Sequence, residues 1–188
     1  MIIDFDLSII LPIFVLYIIA IVYLAKARRK TIPYLAFFTL LFIYITEVFN
    51  YTQFPIIVNP DMDGNLWRNI NYIPFYHFTV EDIWTSLMNI VLAGPFGFLL
   101  PFLARISKGK IILLGVLFGM VIETTQFIVG GVLGYTLRVI DINDIIFNFI
   151  GVILGYGVYN IFVWVIRKIA GKQGGQVNRL FKFIMEGH

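Results

Sequence analysis

The chain has no cysteine among its 188 residues. Disulfides, thiolate metal sites and a cysteine nucleophile are therefore excluded. Charge is scarce as well. Charged residues make up 13% of the chain, against about 25% in a soluble domain. Histidine occurs twice, as His77 and His188. His77 sits in a Tyr- and Phe-rich stretch that reads as an interface more readily than as a general base, and His188 is terminal. No Ser-His-Asp arrangement, phosphate-cradling glycine loop or HExxH motif is present. What fills the chain instead is apolar: 60% hydrophobic and 17% aromatic residues. Such a composition needs lipid as its solvent. The opening Met-Ile-Ile-Asp-Phe-Asp is acidic, whereas a cleavable signal peptide begins with basic residues. The first apolar segment is read as a retained membrane anchor.

A hydrocarbon core about 30 Å thick takes roughly 20 apolar residues of helix. Five stretches qualify, at about 7–25, 32–49, 84–103, 111–129 and 145–166. The expected fold class is all-α, an integral membrane bundle of about five helices. Residues 1–170 form the membrane domain, and no internal repeat or second domain is visible. Basic residues follow the first, third and fifth spans: Lys26, Arg28, Arg29 and Lys30, then Arg105, Lys108 and Lys110, then Arg167, Lys168, Lys172, Arg179 and Lys182. These are 12 of the 14 basic residues, and only Arg68 and Arg138 fall elsewhere. Basic loops stay cytoplasmic, so the N-terminus is expected outside and the C-terminus inside. The net charge of +3 is thus a topology signal and points to no nucleic-acid partner.

Residues 50–82 carry Pro55, Pro60, Asp61, Asp63, Gly64 and Pro74 among many Ile, Tyr and Phe. They are expected to form a structured cap on the outer leaflet. Thr79-Val-Glu-Asp82 has the pattern of a helix N-cap followed by first-turn acids. Residues 171–188 read as a cytoplasmic tail. Gly171–Gly175 would be a linker, and Val177, Leu180, Phe181 and Ile184 recur at the spacing of a short amphipathic helix on the inner leaflet.

The polar residues within the spans are few and patterned. Asp141, Asp144, Asn148 and Gly151 fall within an arc of about 80° on a helical wheel. Span four places Gly115, Gly119, Glu123 and Gln126 on one face, and span five adds Gly155 to its own. Gly115-x-x-x-Gly119 and Gly151-x-x-x-Gly155 are small-xxx-small motifs that let helices approach closely. Packing of span four on span five through these glycines would present Glu123, Gln126, Asp144 and Asn148 to one another. Span three holds two glycines and two prolines within Gly94–Pro101. They predict a kink that is either a packing feature or the opening of a cavity near Asn89.

Ionisable groups at membrane depth are functional candidates by default. Glu123 needs Arg138, a proton or a cation beside it. Gln126 and Asn148 could simply bond across helices, Asp144 could cap span five, and Arg138 could be an interfacial anchor pairing with Asp141.

The ordered set Asn71-x-Ile-Pro-Phe75, Asn89…Pro95-x-Gly97, Glu123-x-x-Gln126 and Arg138-x-x-Asp141-x-x-Asp144-x-x-x-Asn148-x-x-Gly151 resembles the VanZ-like family. The resemblance covers about residues 32–166. It implies a multi-pass protein of the bacterial cytoplasmic membrane, most often from Gram-positive organisms. The family's named member is associated with low-level resistance to teicoplanin, a lipid-tailed glycopeptide, with little effect on vancomycin. Partners implied are the bilayer and a lipid-linked cell-wall precursor or the lipoglycopeptide. Three functional readings are open. In the leading, non-enzymatic one, Arg138 contacts a pyrophosphate, Asn71, Asn89 and Asn148 bind sugar or amide groups, and Glu123, Asp141 and Asp144 orient Arg138. In the second, an enzyme acts on a lipid-linked or lipid-tailed substrate. Glu123, Asp141 and Asp144 then hold a divalent cation, or one of them serves as general base. No other cofactor is expected. In the third, the polar face is structural and the protein is a scaffold.

Overall fold

A computed structural model describes residues 1–59, 70–76, 78–135, 139–172 and 178–186. The expected cap residues Pro60, Asp61, Asp63, Gly64 and Arg68, most of the Gly171–Gly175 linker, Val177 and His188 lie outside the described residues. Among those described, five helices are long and apolar enough to cross a membrane. They are α1 (Leu7–Lys26), α2 (Ile32–Gln53), α3 (Val80–Leu99), α4 (Lys108–Leu133) and α5 (Ile142–Lys172). A 3₁₀ turn at Leu100–Phe102 extends α3, and α6 (Arg179–Glu186) closes the order. Four two-residue strands accompany them: β1 (Ile2–Ile3), β2 (Ile56–Ile57), β3 (Ile70–Asn71) and β4 (Ile140–Asp141).

Local chemistry sets where the helices begin and stop. Asp6 caps α1 by accepting from the Ser8 N–H at 2.8 Å. Thr79 precedes α3, and its N–H donates to Asp82 Oδ2 at 2.6 Å, closing a capping box. Gly134 ends α4 in the left-handed region at φ 81°, a conformation that costs glycine nothing. Pro95 sits inside α3 without ending it. The disturbance appears instead as the 3₁₀ turn at Leu100–Phe102, two or more turns beyond Asn89. The disturbance expected within Gly94–Pro101 thus takes the form of a 3₁₀ turn at its end, and α3 is continuous at Asn89.

The centre of the bundle is α5, which packs extensively on α3 and also on α4. Its glycines do not face α4 as the wheel suggested. A Cβ at Gly155 would collide with the Gly94 carbonyl of α3, and one at Gly151 with the Ile90 carbonyl. A Cβ at Gly97 would collide in turn with the Val152 carbonyl of α5. The α3–α5 seam is thus backbone against backbone. Toward α4, α5 turns bulkier residues. Phe149 and Val152 meet Gly115, and Ile145 and Asn148 meet Gly119. The small residues of the α4–α5 contact all come from α4. The physical reason is that α5 has two neighbours, and each seam places its glycines on one partner or both as the local crossing demands.

The two ends of the bundle differ. At the end where α1, α3 and α5 begin, β1 pairs antiparallel with β2, Ile2 opposite Ile57 and Ile3 opposite Ile56. The Tyr135 hydroxyl donates to Ile57 O at 2.5 Å and accepts from the Asn59 N–H at 2.6 Å, tying that segment to the end of α4. At the opposite end, Phe102 is 2% exposed and stacks on Phe37, with ring centroids 4.0 Å apart. Ile184 of α6 joins Phe102 and Val163 in the same cluster, and Phe183 stacks on Phe37. The Arg167 guanidinium donates to Met185 O at 2.8 Å. The apolar face of α6 therefore meets the bundle as well as any leaflet beside it.

Candidate functional site

The polar residues gather at the first of these ends, where α5 begins. β3 and β4 pair in parallel, Asn71 opposite Asp141. The pairing brings together residues 70 positions apart, and Asn71 Nδ2 donates to Asp141 Oδ1 at 3.0 Å. The same oxygen accepts from the Asn143 N–H at 2.8 Å, the geometry of an N-cap over the first turn of α5. The N-cap role considered for Asp144 is thus filled by Asp141. Asp141 also donates its own N–H to Glu123 Oε2 at 3.0 Å. Buried Glu123 is held in part by a backbone amide, which bonds a carboxylate more strongly than it bonds a neutral acceptor.

The loop after β3 is fastened to the same turn. Asn143 Oδ1 accepts from the Phe75 N–H at 3.0 Å, and Asn71 Oδ1 from the Ile73 N–H at 3.2 Å. Phe75 has a left-handed backbone at φ 59°, rare for a bulky residue. Its ring packs edge-on against Phe78 and Phe147, so surrounding contacts hold the conformation.

Asp144 lies in the first turn of the membrane-crossing helix α5. Asn89 of α3 donates to Asp144 Oδ1 at 2.6 Å, clamping α3 to α5. A cavity of about 360 Å³ opens beside this pair, walled by Asp82 and Ser86 of α3, Gln126 of α4, and Asp141, Asn143 and Asp144. Gln126 also reaches away from it, donating to Thr52 O of α2 at 3.1 Å. Asn148 is 1% exposed, sits where α5 crosses Gly119, and leaves its Oδ1 without a hydrogen-bond partner.

Of the residues singled out in the sequence, Gln126, Asp141 and Asp144 line the cavity. Asn71, Asn89 and Glu123 stand behind them, bonded to Asp141 or Asp144. Asn148 is buried one turn further along α5. Arg138 and His77 lie outside the described residues. Among those described, no three acidic or imidazole groups converge as metal ligands. Glu123 Oε2, Asp141 Oδ1 and Asp144 Oδ1 each accept from an N–H donor. The sequence reading overlooked Ser86 and Asn143 and treated Asp82 only as a cap. Ser86 follows Asp82 by one turn on the same face of α3. Asn143, two residues after Asp141, fits an Asx-turn pattern. Both signals were present.

Together the parts form a hydrogen-bonded lattice under a water-sized to ligand-sized cavity, rich in acceptors, at one end of a membrane bundle. No match is found among curated proteins or among solved structures. A family model described as VanZ/LLP1 matches residues 14–163, most of the chain and all of the described site. The chain, a helical protein with five membrane-crossing candidates, belongs to the VanZ/LLP1 family.

Proposed function

We propose that the protein acts at the outer leaflet of the bacterial cytoplasmic membrane, where it lowers the activity of lipid-tailed glycopeptides such as teicoplanin. In this reading it is a recognition protein for the drug or for a lipid-linked cell-wall precursor. The observation that carries the reading is the cavity beside Asp141 and Asp144, a polar recess built into the end of an apolar bundle. Family membership supports it. So does the charge pattern, since the basic loops all lie at the other end and favour the cytoplasm. The buried lattice behind the recess fits a preorganised binding wall, because bonded side chains lose little further freedom when a ligand arrives.

The test is expression of the chain in a sensitive strain, with inhibitory concentrations measured for teicoplanin and vancomycin. The teicoplanin value is expected to rise and the vancomycin value to change little. Unchanged values for both drugs would sink the proposal. The cysteine-free sequence offers a check on sidedness. A single cysteine replacing exposed Tyr72 should react with an impermeant maleimide in whole cells, and one replacing exposed Ser107 should not.

A further inference from the structure

The gap between α2 and α4 is an apolar cleft of about 260 Å³. Phe96 and Phe118, stacked with centroids 4.7 Å apart, wall it toward the core. Ile45 and Phe49 of α2 and Leu117 and Val121 of α4 line it and stay exposed, so its mouth opens sideways, where the bilayer lies. On α4 the cleft runs from Leu114 to Thr125. That is roughly 16 Å of helix, close to one leaflet's share of a hydrocarbon core about 30 Å thick. At the polar end of the bundle it meets a smaller recess of about 50 Å³ beside Ile56, Ile57 and Tyr135. Thr52 and Gln53 line both spaces. Gln126 lines the recess and also the polar cavity between α3, α4 and α5.

The junction of cleft and recess holds an unspent acceptor. The Thr52 hydroxyl donates to Val48 O at 2.8 Å, so toward Gln53 it can only accept, and Gln53 Nε2 donates to it at 3.1 Å. This fixes the Gln53 amide with Oε1 turned away from Thr52, on a side chain that borders both spaces. Gln53 is 8% exposed, and its Oε1 has no hydrogen-bond partner among the described residues. An acceptor taken out of water without a donor costs free energy that a ligand N–H would restore. The Gln126 amide is fixed in the same way, by Nε2 donating to Thr52 O at 3.1 Å.

We propose that the α2–α4 cleft is a tail site: it takes one hydrocarbon chain, and Gln53 anchors the amide group that joins this chain to its head. The inference rests on lipid-tailed ligands being recognised, as in the proposed function, and names where the tail lies. The volume and the depth suit a single extended chain. A helix, about 10–12 Å across, would need several times that volume over the same length. What the chain displaces is lipid, and what it gains is dispersion contact with packed rings. A secondary amide brings an N–H for Gln53 Oε1 and a carbonyl for the remaining N–H of the Gln53 amide. An ester link has the carbonyl and no donor. A head group carried beyond the amide comes out beside Gln126, which the polar cavity shares.

The test uses the full chain in phosphatidylcholine nanodiscs, labelled with N-methylhexadecanamide that carries a diazirine at the end of its chain. Crosslinks mapped by mass spectrometry should fall on the cleft, near Ile45, Leu114 and Leu117. Unlabelled N-methylhexadecanamide should compete about fivefold better than methyl hexadecanoate, the margin of one neutral hydrogen bond. Gln53→Met should erase that margin and leave the ester where it was. Leu117→Trp should weaken amide and ester by the same factor. Should Gln53→Met fail to fold, the crosslink map and the amide-to-ester ratio of the unaltered chain decide. Crosslinks spread evenly over the five helices overturn the proposal, as does equal competition by amide and ester or a margin that survives Gln53→Met. Loss of cleft labelling in Leu117→Trp with teicoplanin protection intact would remove this tail site and leave the function standing. Clear cleft labelling of a chain that gives no drug protection would do the reverse.

Discussion

The two ends of the bundle are built on opposite principles. One is held by directional bonds among residues far apart in sequence: Asn71 to Asp141, Asp141 to Glu123, Phe75 to Asn143 and Asn89 to Asp144. It encloses a cavity. The other is held by rings and aliphatic groups: Phe37 on Phe102 and Phe183, with Ile184 and Val163 alongside. It is filled. In the sequence, acids collect at the first end and bases at the second, save Arg68, Arg138 and Glu186. The lesson is a division of labour. Close packing secures the fold at the end built of rings and aliphatic groups. Hydrogen bonds position groups where space must be kept.

This contrast can be broken in order of severity. Gly155→Val drives a side chain into the Gly94 carbonyl, beneath both ends, and should cost upwards of about 3 kcal/mol. The expected outcome is near-complete loss of monodisperse protein on size exclusion. Phe102→Ala empties the centre of the filled end at about 3 kcal/mol. Thermal stability should fall, yet drug protection per folded molecule should persist. A loss of protection larger than the loss of folded protein would contradict the division. Asp144→Asn acts at the other end. It keeps an acceptor for Asn89, so the fold should lose only about 1 kcal/mol. Protection should nonetheless disappear from cells whose membrane level of the protein is normal. If level and protection fall together, the polar end is structural.

The smallest effect concerns Asp6. Its hydrogen bonds from Ser8 hold the carboxyl below the usual aspartate range. A depressed value in the folded state means the cap contributes above the unfolded pKa and is lost as pH falls through the folded one. Circular dichroism should therefore be flat from neutral pH to mild acid. A slight loss of helix should appear only below the ordinary aspartate range, and Asp6→Asn should remove that step.

The five helices were legible because hydropathy records the solvent each residue faces. Their ends were less so. α3 starts at Val80 and α4 runs on to Leu133, because capping and turn residues rather than hydropathy set those limits. Orientation rests on charge alone. At the site, the wheel placed Asp144 and Asn148 on one face of α5, whereas Asp141 precedes that helix in β4 and caps it. The wheel gave no hint that Asn71 would pair with Asp141, because a two-residue parallel bridge leaves no periodic trace. Nor could it divide the glycines. On α5, Gly151 and Gly155 lie only about 60° to 100° from Val152, yet they serve different neighbours. A single sequence reveals that a face is small, not which helix will fill it.

The glycine seam has a mechanical meaning as well. Side chains between helices act as bearings, because they can change rotamer as one helix slides or turns. Between α3 and α5 there are none at the closest points, only carbonyls facing glycines. Rotation of either helix would bring a side chain against a backbone. The pair is therefore welded into a single beam that carries Ser86 and Asp144 at fixed separation. Any widening of the recess must come from the moving of α4 with Gln126, or of the loop at Phe75, against that beam.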